Sequence, residues 1–304
     1  MNYSPALKWL VPVIIVLAFA AALAGLLPGE GQPYSLTNFR GEEVTINARG
    51  LYSWDTVSSA AQMQANDLIM LALALPLLAI SLWLTLRGSL RGRLLLTGTL
   101  GFILYTYITM CFGAAYNKLF LVYVALFSLS LFAFILSMMS FDLQTLPAHF
   151  SEKLPRGWIA GLLFFAAAFL SLAWLGRILP TLALDSLSLW ERGGVRGIPA
   201  LENTTSMFIQ AMDLGIIVPL CVLAGILLLR RSAWGYLLAS VGLMKFLTMG
   251  IAVSLMSLNM ARVGAPVSAV ELVVFPVIAI ANLVMVALLI KNIKDTLVNS
   301  TVEI

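Results

Sequence analysis

"MQANDLIMLALALPLLAISLWLTLRGSLRGR" occupies residues 63–93, and "IQAMDLGIIVPLCVLAGILLLRR" occupies residues 209–231. Both open on Gln-Ala-x-Asp-Leu, both continue into an apolar run, and both runs stop at arginines. A carboxylate, an apolar run and a basic stop describe one membrane crossing, because the hydrocarbon core takes about 20 residues of helix. Meeting that phrase twice raises a larger question, whether the second half of the chain repeats the first.

The rest of the chain supports the crossing. Of 304 residues, 61% are hydrophobic and 11% charged, against about 25% charged in soluble domains. A mean hydropathy of +0.98 leaves no room for a sizeable soluble domain. Eight stretches are long and apolar enough to span: 9–27, 66–86, 94–114, 118–140, 158–179, 208–229, 233–257 and 268–290. The fold class expected is therefore an all-α polytopic membrane protein with eight transmembrane helices. The first span ends in "AAALAG", the small-residue pattern of a cleavable leader, but its length favours a retained helix.

Lysine and arginine set the expected orientation. With the N-terminus inside, inner segments hold ten basic residues and outer segments seven, and the strongest clusters, "LRGSLRGR" and "LLRRSAWG", fall in short inner turns. This predicts a plasma (inner) membrane protein with both termini cytoplasmic. Two outer connections are long, 28–65 and 180–207. In the first, Val44 and Ile46 near alternation predict a small hairpin, and Asp55 or Thr56 is placed to cap a short helix leading into the second span.

The opening question can be tested by offset. Residue n matches n+146 or n+147 at several islands: Phe19–Ala22 with Phe165–Ala168, Arg49-Gly50 with Arg196-Gly197, and Asp67 with Asp213. The plan repeats as well: helix, long outer loop, helix, basic inner turn, helix, short outer loop, helix. The expectation is two parallel four-helix repeats, 1–146 and 147–304, related by an axis along the membrane normal. In that scheme each aspartate sits at the outer start of its helix, where the N-terminal dipole favours it. Asp67 is read as such a boundary residue, and Asp213, somewhat deeper, as a candidate to line a cavity.

The four-helix unit resembles the claudin-type plan of one helix, a strand-bearing outer segment and three further helices. "RGLYSW" and "MQANDLIM" echo that group's Gly-Leu-aromatic segment and the Gln-Ala start of its second helix. The resemblance implies an outer sheet and contacts made through outer loops. The paired loop cysteines of that group have no counterpart here, so it is a likeness of topology.

Lys245 stands out. It falls near the middle of the seventh span, about 18 Å from either end, where a lysine costs at least ~2.5 kcal/mol. Such a residue faces the bundle interior or water and needs a partner. Asp213 is the leading counter-charge for an ion pair. Glu271 is a second candidate, although "SAVE" also reads as a capping box from Ser268. Asn282 lies at similar depth and could bond Lys245. Tyr105 and Tyr107 point different ways, so at most one faces a pocket. The expected substrate-binding set is Lys245, Asp213, Asn282 and Tyr105.

Catalytic and metal chemistry find little support. Cys111 and Cys221 lie in apolar runs, His149 is the one histidine, and no phosphate loop, GxSxG or HExxH occurs. No cofactor, metal or nucleic-acid partner is expected. Three functions remain: a small-solute carrier or binding protein with an outward cavity reaching Lys245, for a polar or zwitterionic solute; an accessory membrane subunit whose outer loops bind a partner; and, least supported, an enzyme acting on lipid or quinone.

Overall fold

The computed structural model describes residues 5–39, 41–182 and 204–295. Among them, eight helices are long and apolar enough to cross a membrane: α1 (Leu7–Leu26), α2 (Val57–Leu86), α3 (Leu90–Gly113), α4 (Phe120–Met139), α5 (Arg156–Leu182), α6 (Phe208–Leu229), α7 (Ala233–Arg262) and α8 (Ala269–Lys291). Each expected span is a helix. Between α1 and α2 lies an antiparallel hairpin, β1 (Tyr34–Thr37) and β2 (Glu43–Ile46), with Tyr34 opposite Ile46. Of the second long connection, residues 183–203 lie outside the described residues.

Helix α2 begins nine residues before the expected span. Thr56 caps it, its side chain accepting from the Ser59 amide at 3.1 Å. The segment Val57–Gln62 is too polar for a span but has no helix breaker, so the helix continues outward past the apolar run. This corrects the position of Asp67. It lies about three turns inside α2 and is 5% exposed, not a boundary residue.

Both α2 and α6 contain a π-helical segment, Met70–Ala74 in one and Asp213–Ile217 in the other. Each ends two residues before a proline, Pro76 or Pro219. A proline ring clashes with the carbonyl four residues earlier, here Ala72 or Gly215. Widening the turn around that carbonyl removes the clash without breaking the helix. The two helices then end alike. Gly88 (φ +84°) follows α2 and Arg231 (φ +56°) follows α6, each turning the chain through the left-handed region. Ser89 and Ser232 then occupy the N-cap positions of α3 and α7. One turn later, Gly92 lies against the backbone at Leu84 and Thr85, and Gly235 against that at Leu227 and Leu228. A Cβ at either glycine would collide with main chain.

In the first four helices, α1 packs on α2 and α4, α2 on α3, and α3 on α4. Leu78, Phe102 and Leu126 fill their core. In the second four, α5 packs on α6, α6 on α7 and α7 on α8, around Leu163, Leu237 and Leu243. The last seam differs. α1 and α4 close against each other, whereas α5 and α8 touch only sparsely.

Helix α7 joins the two groups, packing along both α2 and α3. Gly98 allows the approach: a Cβ there would overlap Met244 and lie 3.0 Å from the Val241 carbonyl oxygen. Asn259 adds a polar tie, its side chain donating to the Ala61 carbonyl at 2.8 Å.

At the arginine-rich end, the segment after α8 is fastened to two earlier elements. The Asp295 carboxylate accepts from the Leu90 amide (2.9 Å), the Arg91 amide (3.2 Å) and the Ser89 hydroxyl (3.1 Å), capping α3. The Lys294 amide donates to the His149 carbonyl at 2.8 Å, and the Ser151 amide donates to the Asn292 carbonyl at 2.9 Å. At the opposite end, Asp55 accepts from the Ala115 amide at 2.9 Å, tying the hairpin's exit to the α3–α4 turn.

Candidate functional site

Lys245, Asp213, Tyr105 and Trp174 come together where α3, α5, α6 and α7 meet. Lys245 is 8% exposed and Asp213 7%. They do not form the expected direct ion pair, since no carboxylate lies within 4.0 Å of Lys245 among the described residues. Tyr105 stands between them. Its hydroxyl donates to Asp213 Oδ1 at 2.8 Å, and the Lys245 Nζ lies over its ring, 4.2 Å from the centroid. The Phe246 ring is 5.1 Å from the same nitrogen. The second oxygen of Asp213 accepts from the Trp174 indole N–H at 2.9 Å.

The two charges are therefore served differently. Asp213 holds a neutral donor on each oxygen, which suits a carboxylate away from water. Lys245 has two ring faces, which attract a cation, but none of its N–H groups reaches an acceptor among the described residues. Placement follows from the helices. Gly101 on α3 lies alongside the lysine stem, since a Cβ there would be in ordinary contact with Lys245 Cγ at 3.7 Å. Tyr105, one turn on, then meets the ammonium.

The other expected members lie elsewhere. Asn282 is buried, but its Nδ2 donates to the Leu243 carbonyl at 2.9 Å. Leu243 and Lys245 differ by about 200° around α7, so Asn282 meets the opposite face. Glu271 forms the capping box with Ser268 and pairs with Arg177 at 3.1 Å, outside the site. Tyr107 turns away from Tyr105 and stacks on Tyr123 within the first four helices, at 6.1 Å.

Asp67 has its own setting. Tyr52, from the loop after the hairpin, donates to Asp67 Oδ2 at 2.6 Å. Gly25 of α1 lies so close that a Cβ would collide with that carboxylate. Burial, followed by the Asp67 charge, pushes the Tyr52 phenol far above its ordinary range, so it stays a donor.

Three members escape sequence reading: Tyr52, Trp174 and Arg93. Arg93 is 1% exposed, donates to the Ser140 carbonyl at 3.1 Å, and lies 5.7 Å from the Phe141 ring. In the sequence it counts as a loop charge. Trp174 carries no local signal beyond being a tryptophan in a span.

Among the described residues no group of three or more His, Cys, Asp or Glu is placed to hold a metal ion. A concavity beside Pro12 on α1 and another between α5 and α8 are not lined by Lys245, Asp213, Tyr105 or Asn282. No protein-family model, no curated protein and no solved structure matches the chain.

Proposed function

We propose that the protein is a small-solute carrier or binding protein, and that Lys245 receives an anionic group of the solute. The carrying observation is the mismatch in the site. The carboxylate of Asp213 has a donor on each oxygen, while the ammonium has rings and no acceptor among the described residues. An ammonium at mid-membrane without an acceptor is costly, and an anionic solute supplies what it lacks. Asp213 then acts through Tyr105, holding the ring beneath the ammonium. The test is thermal unfolding of the purified full chain with benzoate, succinate or glutamate, and choline as the cationic control. At least one anion should raise the wild-type melting temperature and leave Lys245→Met unmoved. No response in the wild type, or the same response in Lys245→Met, sinks the reading.

The chain is further proposed to be a duplication of parallel four-helix units. Support comes from a constant offset of 143 residues across one hairpin. It joins Met70–Ala74 to Asp213–Ile217, Pro76 to Pro219, Gly88 to Arg231, Ser89 to Ser232 and Gly92 to Gly235. The Gln-Ala-x-Asp-Leu match itself runs at 146, so in the register of 143 Asp213 stands opposite Met70 and not Asp67. The order of helix contacts is also common to both units, apart from the α5–α8 seam. Two units of even span number run parallel, and the basic ends of both belong on the cytoplasmic side of the plasma membrane.

A second reading, an accessory subunit, is favoured by a different observation. Phe39 and Trp54, both strongly exposed, project from the hairpin region. On that reading Phe39→Ser with Trp54→Ser releases one co-purifying membrane protein. A solute response that survives the double change separates the two functions.

A further inference from the structure

We infer that the open seam between α5 and α8 is a binding groove for an anionic phospholipid, with its acyl chain in the seam and its phosphate at the arginine-rich end. This rests on no part of the solute reading.

The groove encloses about 670 Å³. Gly157, Gly161 and Phe165 form one wall and Ala281 and Met285 the other, and its lining is overwhelmingly apolar. A Cβ built on Gly157 or Gly161 would meet nothing within 4 Å. These glycines therefore do not serve close helix contact inside the chain, as Gly98 does. They hollow the surface. From Gly157 to Phe165 the groove runs about 12 Å along α5, enough for a good part of an acyl chain. The matching seam of the first unit, α1 on α4, is closed by protein.

Charge selects the occupant. Lys153 lies four residues before Gly157, Lys291 ends α8, and Lys294 follows it. All three are exposed, and among the described residues none has a carboxylate within 4.0 Å. The nearby acids are committed: Glu152 pairs with Arg156 and Arg231, and Asp295 with Arg91. An apolar slot between two helices whose adjoining ends carry these lysines matches a hydrocarbon chain with a negative headgroup. A neutral helix from another protein would leave the lysines unanswered. Trp158, at the same end of the groove and strongly exposed, suits the headgroup region.

The experiment compares phosphatidylglycerol and phosphatidylcholine of identical chains, titrated onto the delipidated full chain while the melting temperature is followed. Phosphatidylglycerol should reach half-effect at a concentration at least tenfold lower. Lys153→Ala and Lys291→Ala should each weaken that preference about fivefold. Gly161→Leu, which fills the groove, should abolish saturable stabilisation by either lipid. If Gly161→Leu does not fold, Ala281→Leu fills the slot from the other wall. Equal response to both lipids overturns the inference, as does a groove-filling variant that responds like wild type. Stabilisation that instead tracks protein concentration, with a dimer by light scattering, overturns it too, because a second copy then covers the seam.

Discussion

Gly98→Ala is the sharpest test of the packing that builds the site. In an isolated helix this change is favourable by about 1 kcal/mol, because alanine is the better helix former. Here the added methyl would overlap Met244 Cβ, with the Val241 oxygen at 3.0 Å and the Lys245 amide nitrogen at 3.1 Å. All three are fixed to the α7 backbone, so no rotamer change makes room, and α3 and α7 must separate. A gap of 0.5–1 Å forfeits about a quarter to a half of each affected van der Waals contact. Overpacking of this kind costs about 1–3 kcal/mol, which exceeds the propensity gain. Net of that gain up to about 2 kcal/mol is lost, and at roughly 2–4 °C per kcal/mol thermal unfolding in detergent should fall by up to about 8 °C. Gly161→Ala is the internal control. With open space around it, it should be neutral or slightly stabilising. If Gly98→Ala is as stable as wild type, the helices are not in contact there, and the placement of Lys245 over Tyr105 loses its basis.

Four further outcomes are expected. Tyr105→Phe removes one donor from the buried Asp213 carboxylate and should cost about 1–3 kcal/mol; an unchanged melting temperature would mean that the bond is not formed. Arg231→Gly relieves a left-handed residue (φ +56°) and should gain about 1 kcal/mol, since the ion pair lost with Glu152 is exposed and worth little; a loss of stability by chemical denaturation would contradict this. Asp295→Ala removes the acceptor of the Leu90 and Arg91 amides at the start of α3, leaving the Ser89 cap, and should cost about 1 kcal/mol, with faster amide exchange at residues 90 and 91. The Asp142 carboxyl is held below the usual range by the Thr145 hydroxyl and the Gln144 amide. Its contribution to the 142–145 turn is therefore present above the ordinary carboxylate value, about 3.9. It is lost as pH falls through the lowered one, and Asp142→Asn should remove that acid-induced loosening in hydrogen exchange.

Span positions were legible because they depend on two quantities written in the residues, apolar length and flanking charge. The hairpin and the Thr56 cap were legible for the same local reason. The start of α2 was not, because hydropathy marks where lipid begins and not where a helix begins. That single error made Asp67 a boundary residue at the start of its helix. The π-helical segments are foreshadowed only by Pro76 and Pro219. A proline says that the ladder is interrupted, but whether the helix kinks, breaks or widens is decided by its neighbours.

The site shows the same boundary at higher resolution. Depth along a helix can be counted from the sequence at about 1.5 Å per residue, and it brought Lys245 and Asn282 to comparable levels. Direction cannot be counted so easily. A helix with one apolar face announces which side is buried, but α7 is apolar nearly all round and touches α2, α3, α6 and α8. Each side of it meets a different neighbour, so two polar residues at one depth can be strangers. Asn282 reaches the Leu243 side and Tyr105 the Lys245 side. The expected pair of Lys245 and Asp213 failed for a related reason: pairing two charges assumes that the space between them is empty. Tyr105 fills it, giving its hydroxyl to the carboxylate and its ring to the ammonium. A residue that satisfies the anion by hydrogen bonding while only flanking the cation leaves the ammonium's N–H donors unspent. That imbalance is a property of the three side chains together, and no one of them carries it in sequence.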